Sequence, residues 1–349
     1  MGFNKGEWSE LYTFLYLLEN PNLVIVDENL QVIDNTLFKI LEIILADKKY
    51  KIEDENILKL LNDGQTSCYE MGYISEQNKT LLEKILAHKS AKGSFEISEI
   101  QPLIDDFFDG QKPKGASNVK ADLIANVLDN TRKQDFNISY NIKSNLGSPA
   151  TLLNASNHTN FIYEVVGIDD DVMKQCNNIQ TSNKLLDRCN FLKSKGAVFS
   201  FIQTESEILK YNLKLIDSNL DKILAHMLYI SYVENTKDIQ ELISIISENE
   251  DEITFYKKKI SDFANAVTFG MRAGEKWNGT NEVNGGIIIV TKTGEVYLLD
   301  LVYFKNIVDK YLLDNIKLDS PSSTRYKMFD IYKENEKYFF KLNLQIRFK

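Results

Sequence analysis

The sequence predicts an α/β fold: a mixed central β-sheet flanked by helices, with an additional, largely helical region later in the chain. Three observations point there. The stretch from Lys120 to Ser144, KADLIANVLDNTRKQDFNISYNIKS, alternates side chains in two halves about a polar turn, as a strand pair does. Near the start, Leu11, Phe14, Leu15 and Leu18 recur at helical spacing. Further helical patterns cover 219–233, 239–246 and 252–269.

Composition sets the limits. With 349 residues, 43% of them hydrophobic, the chain has material for one large domain or two smaller ones. A net charge of −9 excludes a nonspecific basic nucleic-acid coat, while a local basic groove stays open. Cys68, Cys176 and Cys189 form no CxxC or Cys/His cluster, so a zinc site is not expected and a reducing cytoplasm is. No signal-like start and no long apolar run is present, so no membrane span is expected.

Taken in order, the chain opens with a helix from Lys5. Glu7 and Glu10 lie one turn before Leu11 and Phe14, on the edge of the apolar stripe. They suit either a site facing the core or the helix N-terminus, whose dipole favours acids. Residues 22–33 read as a hairpin turning at Asp27–Asn29. Residues 39–45 form an apolar strand that 49–52 can pair with, and 56–88 read as mostly helical. Ser98-x-x-Gln101 resembles a capping box ahead of a helix at 103–108. A loop with Lys112 and Lys114 then leads to the central hairpin.

After that hairpin comes a polar run with Ser144, Asn145, Asn154, Asn157, His158 and Asn160, ahead of a strand at 161–166. Asn pairs with adenine edges and small polar residues approach phosphates, although a polar turn reads the same way. A helix at 184–195 carries Asp187 and Arg188, and 197–203 is a strand. Residues 269–280 form a glycine-punctuated loop holding Arg272, without the GKS or GKT of a phosphate loop. A hairpin at 285–301, a helix at 304–313, a second polar loop with Arg325, and a closing hairpin from 326–332 and 338–348 complete the chain. Arg188, Arg272 and Arg325 are candidates for bidentate contact with guanine, or for ordinary surface charge pairs.

A symmetric turn between the central strands pairs Leu128 with Asp135, Asp122 with Asn141, and Lys120 with Lys143. Directly opposed residues share a face, so an Asp, an Asn and a Lys gather on one patch. That grouping suits Mg²⁺-assisted phosphodiester hydrolysis: Asp122 as the metal anchor, and Lys143 orienting water and stabilising phosphate charge. A solvated hairpin face reads the same way from spacing alone.

Several blocks together resemble the HpaII-like type II restriction endonucleases, nearly end to end: KGEWSELY, KADLIANV, NISYNIKSNLGSPATLLNAS, WNGTNEVNGGIIIV, SPSSTRY and LNLQIRF. The middle block also resembles the wider PD-(D/E)XK nuclease superfamily, and KGEWSE its KGxxxE helix. The resemblance implies a PD-(D/E)XK core. Asp122 is then the metal-binding acid, Lys143 the catalytic lysine and Glu10 the helix acid, with Mg²⁺ as cofactor. Asn141 departs from the usual Asp or Glu. A neutral amide is a weaker metal ligand, so Glu10 or Glu7 supplies the missing charge, with the Ile142 carbonyl as a further oxygen ligand.

The implied activity is sequence-specific cleavage of double-stranded DNA, with CCGG as the implied site. A homodimer and a cognate DNA methyltransferase are the implied partners. The alternatives are a structure-selective junction or repair nuclease, and an inactive DNA-binding protein of the same fold. Within one endonuclease chain, 1–20 and 100–205 are expected to form the catalytic core. Residues 21–99 are expected to be inserted or accessory. Residues 206–349 are expected to be a helical region with C-terminal hairpins that recognises DNA. The expected DNA contacts are Lys114, Ser144, Asn145, Asn154, Asn157, His158, Arg188, Arg272 and Arg325.

Overall fold

The computed structural model describes residues 2–45, 48–89, 93–113 and 120–349. It divides into two compact units: Met1–Ala150 with Asn281–Tyr311, and Thr151–Thr280 with Leu312–Lys349.

In chain order, the first unit opens with α1 (Lys5–Glu19), β1 (Ile25–Val26), β2 (Val32–Asp34), β3 (Phe38–Leu45), β4 (Lys48–Ile52), β5 (Ile57–Asn62) and β6 (Gln65–Glu70). Then follow α2 (Met71–Ala87), α3 (Gln101–Phe108), β7 (Leu123–Asp129) and β8 (Gln134–Ser144). The second unit begins with β9 (Thr151–Leu153), β10 (Asn160–Val166), α4 (Asp170–Asn177), α5 (Lys184–Ser194) and β11 (Val198–Thr204). It continues through α6 (Glu207–Ile216), α7 (Leu220–Val233), α8 (Ile239–Ile246) and α9 (Glu250–Phe269). The chain returns to the first unit for β12 (Gly286–Val290) and β13 (Val296–Asp300), then runs through α10 (Lys305–Asn315). In the second unit β14 (Ile316–Leu318), β15 (Tyr332–Glu334), β16 (Lys337–Asn343) and β17 (Ile346–Phe348) close it.

The first unit is built on a ten-stranded sheet in the order β2-β1-β13-β12-β8-β7-β3-β4-β5-β6. β8 pairs with β12, and β1 with β13, in parallel, while the other ladders are antiparallel, so the sheet is mixed. This is the α/β class read from the sequence. The β7–β8 register pairs Leu128 with Asp135 and Leu123 with Tyr140, as a symmetric turn requires.

α1 packs against β3, β8 and α2. Trp8, Leu11, Tyr12, Phe14, Leu15, Leu17 and Leu18 are all buried in the same core as Leu123, Tyr140 and Ile142. Burying so much of a helix's circumference makes it a central element, since each large apolar side chain removed from water contributes roughly 1.5–3 kcal/mol. A capping box starts it: Asn4 Oδ1 accepts the Glu7 N–H at 3.0 Å, and Glu7 Oε2 accepts the Asn4 N–H at 2.8 Å.

Several expectations need correction. Residues 57–70 are a hairpin, β5–β6, with helix beginning only at Met71. Asp63 and Gly64 turn it with φ of 47° and 81°, the left-handed pair that two-residue hairpins favour. Ser98 lies in a short 3-10 turn with no side-chain cap, and α3 starts at Gln101, whose amide donates to Asp105 at 2.8 Å. The closing hairpin is β15–β16, turned at Asn335 and Glu336, while β17 pairs with β14 and β9 instead. The helices α4 and α6 were not anticipated.

The expected division of the chain also differs from these units. Residues 21–99 contribute β1–β6 to the same sheet as β7 and β8, and 286–300 contribute β12 and β13. Main-chain hydrogen bonding makes the unit: β12 lies directly beside β8 in register, far as it is in sequence.

The second unit holds a four-stranded sheet, β11-β10-β16-β15, and a three-stranded one, β14-β17-β9, both antiparallel, together with α4–α9. Among the described residues, no helix is long and apolar enough to cross a membrane.

Candidate active site

β7 and β8 lie at the centre of the first unit's sheet, and Asp122 sits just before β7. The Asp122 N–H donates to the Tyr140 carbonyl at 3.0 Å, which continues the ladder by one residue and sets Asp122 beside Asn141. Its carboxylate turns back onto β8: Oδ2 accepts the Ile142 N–H at 2.8 Å. The Lys143 ammonium stands 3.9 Å from the same oxygen, with the Lys143 side chain 21% exposed and that of Asp122 30% exposed.

Strand alternation explains this convergence. Ser139 and Asn145 bond towards β12, through Gly285 N–H to Ser139 O and Asn145 N–H to Val290 O. Tyr140 and Ile142 therefore direct their N–H and C=O groups towards β7. β7 ends at Leu123, so the Ile142 backbone meets the Asp122 side chain where a further strand residue would stand.

The ladder stops at Asp122. Lys120 donates its N–H to the Glu282 carboxylate at 2.6 Å, so the expected pairing of Lys120 with Lys143 does not form. Glu282 also accepts the Ser139 hydroxyl on its backbone oxygen at 3.0 Å, and Asn284 Oδ1 accepts the Ser139 N–H at 2.9 Å. Sequence reasoning gave Glu282 and Asn284 no role. Their only signal was membership in the NEVNGG run. Asn141 is buried, 2% exposed. An amide there avoids the cost of burying a carboxylate's charge.

Glu10 comes from α1. Its side chain keeps contact with solvent, yet protein packs densely about its carboxyl. That burial, with the nearby charges of Asp122 and Glu7, pushes its pKa up to about 7, against the pull of Lys143 and Lys112. Glu10, Asp122, Ile142 and Pro113 share a small cleft of about 20 Å³, roughly what one water molecule needs. Glu7 is occupied elsewhere: beside its capping role, Oε1 pairs with Lys112 at 2.5 Å. Lys112, in the loop that leads to the central hairpin, is thus tied to α1.

Among the described residues, no three Asp, Glu, His or Cys side chains gather closely enough to form a metal cage. The oxygen donors are two carboxylates, Asp122 and Glu10, and the Ile142 carbonyl. Mg²⁺ binds through one or two carboxylates and keeps waters or phosphate oxygens for its other positions, so this donor chemistry fits it.

The expected DNA-contacting residues fall in three places. Lys114 lies outside the described residues. Ser144 and Asn145 follow Lys143 at the end of β8, where the Ser144 hydroxyl accepts the Leu146 N–H at 3.1 Å. Asn154, Asn157, His158 and Arg325 are exposed in the second unit, and Arg272 pairs with Glu275 at 3.5 Å.

Arg188 is the exception: it is fully buried. It donates to the Ile179, Asn177 and Phe329 carbonyls and pairs with Asp330, while Asp187 accepts from Thr181. The expected base-reading pair of Asp187 and Arg188 is therefore corrected. With no exposed surface and its donors engaged, this arginine holds loops together.

A family model, the HpaII restriction endonuclease, matches residues 4–348. The type II restriction enzyme HpaII of Haemophilus parainfluenzae is 32% identical over 364 aligned positions, covering 99% of this chain and 98% of that one. No solved structure matches.

Proposed function

Because the chain belongs to the HpaII restriction endonuclease family, and so is a type II site-specific deoxyribonuclease, we propose that it cleaves double-stranded DNA at the Asp122–Lys143–Glu10 site with Mg²⁺. The observation that carries this is the meeting of the Asp122 carboxylate, the Lys143 ammonium and the Ile142 backbone at the end of β7. Asp122, Glu10 and the Ile142 carbonyl would hold the metal. When bound, the ion supplies a Lewis acid that offsets charge on the phosphate.

The protein's own groups do the rest. The Ile142 N–H fixes one Asp122 oxygen, so the carboxylate is oriented before substrate arrives. Lys143 offers a partly desolvated positive charge to a non-bridging phosphate oxygen and to the attacking water. Water attacks phosphorus in line and gives up one proton to solvent, the bond to the leaving oxygen breaks, and that oxygen takes a proton from solvent. Buried Asn141 adds no charge, which leaves Glu10 as the second acid. Glu7, already capping α1 and pairing with Lys112, supports the helix.

Ser144, Asn145 and Lys114 are proposed to meet the DNA backbone near the cut, and residues of the second unit to read the sequence. CCGG is the first site to try, with a homodimer as the matching assembly for a palindrome. A methyltransferase protecting the same site is the proposed genetic partner. Digestion of plasmid DNA with Mg²⁺ tests the reading. Discrete bands support it. Cleavage confined to branched substrates, or a mobility shift without cleavage, contradicts it.

A further inference from the structure

Three loops that stand out in the sequence meet in the second unit. They are the polar run 154–160, the glycine-punctuated loop 269–280, and the loop 320–326. Tyr326 donates its hydroxyl to the Ala155 carbonyl at 2.9 Å, which joins the first to the third. The Gly274 backbone lies against the His158 ring, so that a Cβ on it would stand 3.1 Å away, which joins the first to the second. Buried Asn212 pins that second loop, donating to the Arg272 and Glu275 carbonyls at 3.0 and 2.8 Å and accepting the Trp277 N–H at 2.9 Å.

Between the 157–159 turn, the start of α6 and the 325–332 segment lies a groove of about 810 Å³. Three acids and three bases line it, and each acid already has a basic partner. Glu205 pairs with Lys341, Glu207 with Lys210, and Asp330 with Arg188. Arg325 and Lys327 line the same groove, are exposed, and have no ion-pair partner among the described residues. On a chain of net charge −9, two unmatched cations at one groove mark a place for an anion.

Arg325 is also held in a defined attitude. Its guanidinium lies 5.4 Å from the centroid of the Tyr326 ring, and the hydroxyl of that ring is tethered to Ala155. A guanidinium resting on an aromatic ring keeps its planar fork free for two acceptors. Buried Arg188 holds the following segment through Phe329 and Asp330. There, left-handed Lys327 and Phe329, at φ 47° and 56°, bend the backbone.

We infer that this groove is the DNA-reading surface, with Arg325 on a guanine edge, Lys327 on a backbone phosphate, and Arg188 a positioning residue for both. The inference rests on the endonuclease reading above.

Binding of the full-length protein is measured with Ca²⁺ replacing Mg²⁺. The probes are a duplex carrying the site mapped by digestion and duplexes substituted at each base pair. Arg325→Ala should weaken binding to the mapped site about 5- to 150-fold and flatten discrimination at one G·C pair. Arg325→Lys should recover nonspecific affinity without recovering discrimination. Lys327→Ala should weaken all duplexes alike and lower the slope of log K against log salt by about 0.9. Arg188→Lys should lose discrimination at the same G·C pair as Arg325→Ala does.

Parent-like binding by the Arg325 and Lys327 variants, or equal losses on every sequence for Arg325→Ala, overturns the inference while the parent's site-specific cleavage stands. A parent that cuts without sequence preference overturns the endonuclease reading itself.

Discussion

At the scale of single residues, the proposed chemistry rests on three side chains: Asp122 just before β7, Lys143 on β8 and Glu10 on α1. Among the described residues Lys143 contacts no acid more closely than 3.9 Å, which leaves its charge available to a phosphate. Lys143→Ala should lower the cleavage rate by roughly 10² or more while changing metal affinity less than loss of Asp122 does. Mn²⁺ titration of both variants checks this, and a larger metal-binding loss at Lys143 would reverse the two roles. Glu10 makes a separate prediction through pH. Its pKa is raised from 4.5 to about 7, so the folded chain holds a proton that the unfolded chain releases. The stability it contributes is complete below about 4.5 and is lost as pH rises through about 7. The melting temperature of the metal-free protein should fall across that window, Ca²⁺ should restore it above pH 7, and Glu10→Gln should remove the pH effect. Asp122, Asn141 and Lys143 were legible in the sequence because strand pairing is simple geometry once the turn is placed. Arg188 was not, because nothing local distinguishes an arginine that reaches DNA from one buried against distant carbonyls. Its partners Phe329 and Asp330 lie far along the chain.

At the scale of elements, β8, which carries Lys143, is flanked in parallel by β12. Gly285 and Gly286 permit it. A Cβ on Gly286 would stand 2.1 Å from the Leu299 carbonyl oxygen, at φ 121°, and one on Gly285 would stand 2.5 Å from the Tyr140 ring. Gly286→Ala should therefore destabilise the protein by about 3 kcal/mol, read from denaturant unfolding, and take cleavage with it. A parent-like midpoint would mean the ladder yields easily. At the other end of the site, the Asn4–Glu7 box sets the first turn of α1. Asn4→Ala should cost about 1 kcal/mol. The strands at 38–45, 123–129 and 134–144 were readable from alternation. The β5–β6 hairpin was missed because Leu58, Leu60 and Leu61 also fit a helical pattern, and Asp63–Gly64 had to decide the matter. The parallel neighbour of β8 was not readable, since no local pattern names a partner about 145 residues away.

At the scale of the whole molecule, an acidic chain that acts on DNA needs its positive charge placed locally. In the reading proposed above, the Arg325–Lys327 groove of the second unit and Lys143 of the first meet that need separately, one for reading and one for cutting. The α/β class and the family were legible from blocks spread along the chain. The division into units was not, because residues 281–311 return to complete the first sheet between the two segments that build the second unit. The central claim is that cleavage is a metal-dependent reaction anchored on Asp122. The most direct test is single-turnover cleavage of a duplex carrying the mapped site, at saturating protein, by the parent and by Asp122→Asn, each in Mg²⁺ and in EDTA. The account predicts cutting by the parent in Mg²⁺ alone and no cutting by Asp122→Asn, whose DNA affinity stays near the parent's. Cleavage by Asp122→Asn at close to the parent's rate would contradict it.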